Sequence, residues 1–106
     1  MLEAQSLTLD LIHALRPIVG TLHGRDPSIE DQLRRAVTSV ALNLGEGIRR
    51  TGRDKKRAYR IAAAEAQEVK IALEVALAWG SLDEAALLPV RELADRVARI
   101  TYGLAR

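Results

Sequence analysis

The chain contains no cysteine and no phenylalanine, and Tyr59, Trp79 and Tyr102 are its only aromatic residues. Without cysteine there can be no disulfide and no thiolate metal site, which suits a reducing compartment. Without phenylalanine the core has to come from leucine, alanine, valine and isoleucine. Small aliphatics of high helix propensity pack helices closely and suit a β-sandwich poorly. No uncharged apolar run approaches the roughly 20 residues that cross a bilayer. The first eleven residues carry Glu3 and Asp10 and no basic cluster, unlike a secretory signal. A soluble, cytoplasmic protein without membrane contact is expected. G-x-x-x-x-G-K, G-x-G-x-x-G and H-E-x-x-H are all missing. His13 and His23 are the only histidines, and neither has a catalytic or metal-binding partner at a recognisable spacing.

What is present is apolar and periodic. The 106 residues, 48% hydrophobic, are expected to form one domain over 1–106. Four helical segments are expected. In the first, residues 2–23, Leu7, Leu11, Leu15, Ile18 and Leu22 form a stripe widened by Leu9, Ile12 and Val19. Pro17 should kink or divide it. Residues 23–27 read as a turn, with Asp26 as N-cap and Pro27 at the first helical position. The second segment ends near Gly47, with a stripe of Ile29, Leu33, Val37 or Ala36, Val40, Leu44 and Ile48.

Residues 49–53 link segments two and three, with Gly47 and Gly52 as breakers and Thr51 with Asp54 as a capping box. The third segment, 54–79, turns Ala58, Ile61, Ala62, Val69, Ala72, Leu73 and Ala76 to one side, and Trp79 is expected to pack near its end. Ser81 with Glu84 resembles a second capping box. Segment four carries Ala86, Val90, Leu93, Val97, Ile100 and Leu104 as a heptad seam, with Pro89 either kinking the helix or marking a restart. Short connections favour an antiparallel, up-down-up-down four-helix bundle. Leu42, Ile71, Val75 and Trp79 lie off the stripes, which favours burial between subunits of an oligomer over a wider internal core.

Charge is distributed unevenly. Arg49, Arg50, Arg53, Lys55, Lys56, Arg57 and Arg60 stand against the single anion Asp54, so residues 49–60 are net +6 in a chain of net +2, leaving the remainder at −4. Such a run attracts phosphate backbones and releases their counterions, or it simply solvates a helix start. Cations oppose the macrodipole there. With Tyr59 as the one aromatic, backbone contact with RNA or DNA is expected in preference to base readout. Arg91, Arg96 and Arg99 interleave with Glu92 and Asp95 as a solvated face with local ion pairs.

A polar line of Arg35, Ser39, Asn43 and Glu46 flanks the second stripe and ends at Gly47. Asn43 and Glu46 are expected to hydrogen-bond across helices or to a helix end, with Arg35 neutralising Glu46. Glu65 and Glu68 can meet Glu46 across the bundle. Without a Glu-x-x-His pair or an activated nucleophile they make neither a metal site nor a catalytic centre. No catalytic residue, metal or cofactor is expected.

The run Gln32-Leu33-Arg34-Arg35-Ala36-Val37-Thr38-Ser39-Val40-Ala41-Leu42-Asn43-Leu44-Gly45-Glu46-Gly47 resembles the Q-L-R-R-A-x-x-S-I-x-x-N-I-A-E-G pattern of the bacterial four-helix bundle proteins known as 23S ribosomal RNA intervening-sequence proteins. Ile61-Ala62, Glu68 and Gly80-Ser81-Leu82 resemble later parts of that pattern, so the likeness extends over about residues 5–104. Gly45 stands where alanine is more usual, and Ala58-Tyr59 and Ala64-Glu65 stand where an aromatic and Gly-Ser are frequent. The resemblance implies a homopentameric ring. It also implies kinship with the accessory variability determinant of diversity-generating retroelements, a basic pentamer that binds a reverse transcriptase and nucleic acid. The expectation is a non-catalytic oligomeric binding protein that holds RNA or DNA through residues 49–60. The alternative is a protein–protein adaptor, such as an accessory subunit of a reverse transcriptase.

Overall fold

A computed structural model describes residues 2–106. It contains four helices, α1 (Glu3–Arg25), α2 (Pro27–Arg49), α3 (Gly52–Trp79) and α4 (Glu84–Ala105), in an antiparallel bundle. Each helix packs on two neighbours, α1 on α2 and α4, and α3 on α2 and α4, with no diagonal contact among the described residues. The bundle measures 43 × 22 × 19 Å, one helix long, since 28 residues rise about 42 Å. No helix among the described residues is long and apolar enough to cross a membrane.

The core is aliphatic. Leu11, Leu15, Leu22, Leu33, Leu44, Leu87, Val40, Val69, Val90 and Val97 are fully buried, and Ala62, Ala66, Ala72 and Ala76 let α3 approach its neighbours closely. Two threonines join them. Thr8 Oγ donates to the Ala4 carbonyl at 2.7 Å, and Thr101 Oγ donates to the Val97 carbonyl at 2.7 Å. These back-bonds satisfy each hydroxyl inside its own helix, which makes burial affordable. Neither threonine belongs to an expected stripe.

Both mid-helix prolines leave their helices undivided. Pro17 and Pro89 are exposed, flanked by the buried pairs Leu15 and Ile18 and Leu87 and Val90. The rings face water while the flanking residues anchor the helix to the core, so tertiary burial outweighs the lost backbone bond. Of the two alternatives expected at Pro89, a kink or a restart, the restart does not occur. The α4 seam is also rotated: Leu87, Val90, Ala94, Val97 and Thr101 are buried, while Ala86, Leu93, Ile100 and Leu104 are only half-buried.

The helix ends differ from several expectations. Asp26 alone forms the α1–α2 joint, because α1 continues through Arg25 and shortens the expected five-residue turn. As expected, Asp26 caps α2, accepting from Ile29 N at 3.1 Å with Pro27 in the first turn. Thr51 is the N-cap of α3 but makes no side-chain cap bond, so the box with Asp54 does not form. Asp83, and not Ser81, caps α4, accepting from Ala86 N at 2.8 Å. Gly80, with φ 79°, ends α3 while Ser81 N bonds the Ala76 carbonyl at 2.9 Å and Gly80 N the Leu77 carbonyl at 3.0 Å. This is the left-handed glycine stop with paired 6→1 and 5→2 bonds.

Ile48 and Ile61, expected in the core, are exposed at 42% and 38%, and Trp79, expected to pack, is exposed at 78%. The cause at the α2–α3 corner is Gly47. It does not break α2, which continues to Arg49, but is buried against the ring of Tyr59, and a Cβ on Gly47 would run into that ring. Tyr59 occupies the core position, at 6% exposure, so Ile48 and Ile61 on the adjoining helix faces turn outward. Gly47→Ala should therefore overpack this corner and destabilise the fold by about 1–3 kcal/mol, read as a lowered urea midpoint. An unchanged midpoint would show that Tyr59 yields freely.

Candidate nucleic-acid interface

The basic run is divided between the end of α2 and the start of α3. Arg49 ends α2, Arg50 caps it, and Arg53, Lys55, Lys56, Arg57 and Arg60 occupy the first turns of α3. The seven are not equivalent. Glu46 takes both cations of α2: Arg49 Nη2 donates to its Oε1 at 2.6 Å, and Arg50 donates to its Oε2 through Nε at 3.2 Å and Nη2 at 3.1 Å. Lys55 Nζ lies 5.6 Å from the Tyr59 ring centroid, a cation–π contact. Lys56 crosses to α4, where its ammonium donates to the Leu104 carbonyl at 3.2 Å and to the Arg106 carbonyl. It thereby satisfies acceptors at a helix C-terminus, where a positive charge is favoured.

Arg53, Arg57 and Arg60 remain. All three are exposed, and none makes an ion pair or hydrogen bond among the described residues. At i, i+4 and i+7 they form one line along the outer face of α3, with neighbouring Cβ atoms about 5–6 Å apart. Their helix start lacks a side-chain cap, so its free N–H groups add to the positive field. Tyr59, by contrast, is withdrawn into the core and presents no face on which a base could stack.

The polar line of α2 resolves into local bonds. Asn43 Nδ2 donates to the Ser39 carbonyl at 2.9 Å and to Ser39 Oγ at 3.1 Å, within the helix and not across the bundle. Arg35 pairs with Asp31 at 3.1 Å and not with Glu46, because Asp31 lies one turn before it, whereas Glu46 lies three turns beyond. Glu46, Glu65 and Glu68 do not converge. Glu68 accepts from Gln32 at 3.3 Å, and Glu65 lines an open groove with Arg35 and Asn43. No three or more His, Cys, Asp or Glu side chains among the described residues are grouped to hold a metal ion.

Elsewhere two ion pairs join α3 to α4. Arg91 of α4 bonds Glu74 of α3 at 3.1 Å and also Glu84, and Lys70 pairs with Asp95 at 3.1 Å. Of the expected local ion pairs among Arg91, Arg96, Arg99, Glu92 and Asp95, none forms within that set: Arg91 pairs instead with Glu84 of its own helix and Glu74 of α3, and Asp95 with Lys70 of α3. His23 Nδ1 lies 3.0 Å from Glu30 Oε1 across the α1–α2 joint, a partner seven residues away that helical spacing within one segment does not reveal.

The family model for the 23S rRNA-intervening sequence protein matches residues 4–103. The chain belongs to the 23S rRNA-intervening sequence protein family. Among solved structures, it resembles a protein of unknown function of the S23 ribosomal protein family from Bacteroides thetaiotaomicron VPI-5482, with a TM-score of 0.86 and 16% identity over 97% of this chain and 98% of that one. At that identity the likeness concerns the fold. No curated protein matches the chain.

Within this family framework Glu46 has a defined electrostatic state. The hydrogen bond from Arg50 and the nearby Arg49 charge hold its carboxyl below the ordinary glutamate range. For a carboxyl depressed in the folded state, the stabilising pairs are present above the unfolded pKa and lost as pH falls through the folded value. An NMR titration of the Glu46 side chain should therefore give a midpoint below the usual 4.5, and Arg49→Gln with Arg50→Gln should return it to that range. A wild-type midpoint at or above the usual value would rule out the clamp.

Proposed function

We propose that this chain is a non-catalytic, oligomeric binding protein that holds the phosphate backbone of RNA or DNA through the corner between α2 and α3. The observation that carries the reading is the line of Arg53, Arg57 and Arg60, exposed and without an internal counter-ion. Three guanidiniums at an uncapped helix start oppose the macrodipole, and a polyanion relieves that repulsion while releasing its own counterions. Contact is with backbone and not with bases, since the local aromatic ring is buried. A binding role also suits Glu46, because a carboxylate held ionised by two arginines is a poor proton acceptor at neutral pH.

Fluorescence anisotropy with a labelled single-stranded polyuridylate tests this reading. Three phosphate contacts predict a log–log salt slope of about −2 for single strands. Arg53→Glu, Arg57→Glu and Arg60→Glu together should weaken binding more than tenfold at low salt, whereas Lys56→Gln should chiefly lower thermal stability. Equal binding by the triple variant and wild type would overturn the assignment.

The oligomer rests on apolar exposure. Leu42 is exposed at 65%, Ile71 at 58% and Trp79 at 78%, apolar area available to a contact between copies. A homopentamer is the assembly that the family resemblance implies. Light scattering should give a multiple of the 11.6 kDa chain mass, and Leu42→Glu should shift it toward monomer. A wild-type monomer at micromolar concentration would remove the ring. A protein partner, a reverse transcriptase among the candidates, is the second reading, favoured by the same exposed apolar side chains.

A further inference from the structure

Arg49 and Arg50 stand next to the arginine line of α3, yet they differ from it in one respect: both already bond a carboxylate, which cancels one of their two charges. One carboxylate, Glu46, bonds Arg49 at 2.6 Å and Arg50 at 3.2 and 3.1 Å. All three side chains reach solvent, with exposures of 40% for Glu46, 72% for Arg49 and 55% for Arg50. Pairs this open are weak and reversible. The other acid of the corner, Asp54, is exposed and holds no cation.

We propose that Glu46 sets the boundary of the polyanion footprint, withholding Arg49 and Arg50 and confining a phosphate backbone to Arg53, Arg57 and Arg60. This rests on the reading of the corner as a phosphate-binding surface and adds the residue that limits it. A strand reaching α2 meets a carboxylate set between the two arginines. To use either cation it has to displace Glu46, which breaks an existing pair and leaves an anion beside the phosphates. Discrimination by an unfavourable group at the edge of a site is a general route to specificity. The effect is selection by backbone course: strands running along α3 are favoured over strands crossing to the end of α2.

Three proteins distinguish the possibilities: wild type, Glu46→Gln and Asp54→Asn, each titrated with labelled polyuridylate between low and moderate salt. Both substitutions remove one negative charge from the same corner, but only the first frees two cations. Glu46→Gln should bind roughly three- to tenfold more tightly at low salt, with the slope steepening from about −2 toward about −3.5 as five phosphates replace three. Asp54→Asn should bind somewhat more tightly with the slope unchanged. The same slope for Glu46→Gln as for wild type, or equal steepening by both variants, overturns the boundary role while leaving phosphate binding in place. If none of the three binds polyuridylate, the phosphate-binding reading falls and the boundary falls with it.

Discussion

The corner between α2 and α3 depends on one contact, the Tyr59 ring against the bare backbone of Gly47. It sets how closely the two helices approach and therefore how α3 is rotated about its axis. Once Tyr59 points into the bundle, helical periodicity allows little freedom to its neighbours. Lys55, one turn earlier, lies over the same ring. Lys56 faces α4 and reaches its last carbonyls. Arg53, Arg57 and Arg60 are left on the outer face. A glycine that resembles a helix breaker thus serves as a notch, and the notch orients the charged surface.

That surface is smaller than a count of its cations suggests. Seven positive side chains divide into two held by a glutamate, one over a ring, one bonding a helix end and three without partners. A polyanion exchanges its own counterions most readily for charges that lack a protein partner. Net charge over residues 49–60 therefore overstates the contact number. The fold contributes placement and does not itself define an activity, and the solved relative of the S23 ribosomal protein family carries no assigned function. Function has to be argued from the three arginines and the acid beside them.

The bundle tolerates features that local rules disfavour. Two prolines occupy helix interiors, and two threonines lie in an aliphatic core. In each case the surroundings supply what the residue lacks: buried leucine, isoleucine and valine on either side of the prolines, and carbonyls of the preceding turn for the hydroxyls. Tight aliphatic burial along the full bundle outweighs these local costs.

The amino-acid sequence by itself determined four helices, their antiparallel order, the Asp26–Pro27 helix start, the leucine and valine core, and the exposure of Leu42 and Ile71. All of these follow from the period of apolar residues and from capping chemistry within a few residues. The basic run and the Ser39, Asn43 and Glu46 line were equally legible as residue types. Only the tertiary structure decided that Glu46 pairs with Arg49 and Arg50 and not with Arg35, that Tyr59 is core while Ile48 and Ile61 are not, that Asp83 caps α4, and that Lys56 of α3 bonds the end of α4. Periodicity specifies which residues share a face, but not the rotation of that face to within one residue. Pairing depends on which atoms of other turns and helices come within about 3 Å, a distance set by packing.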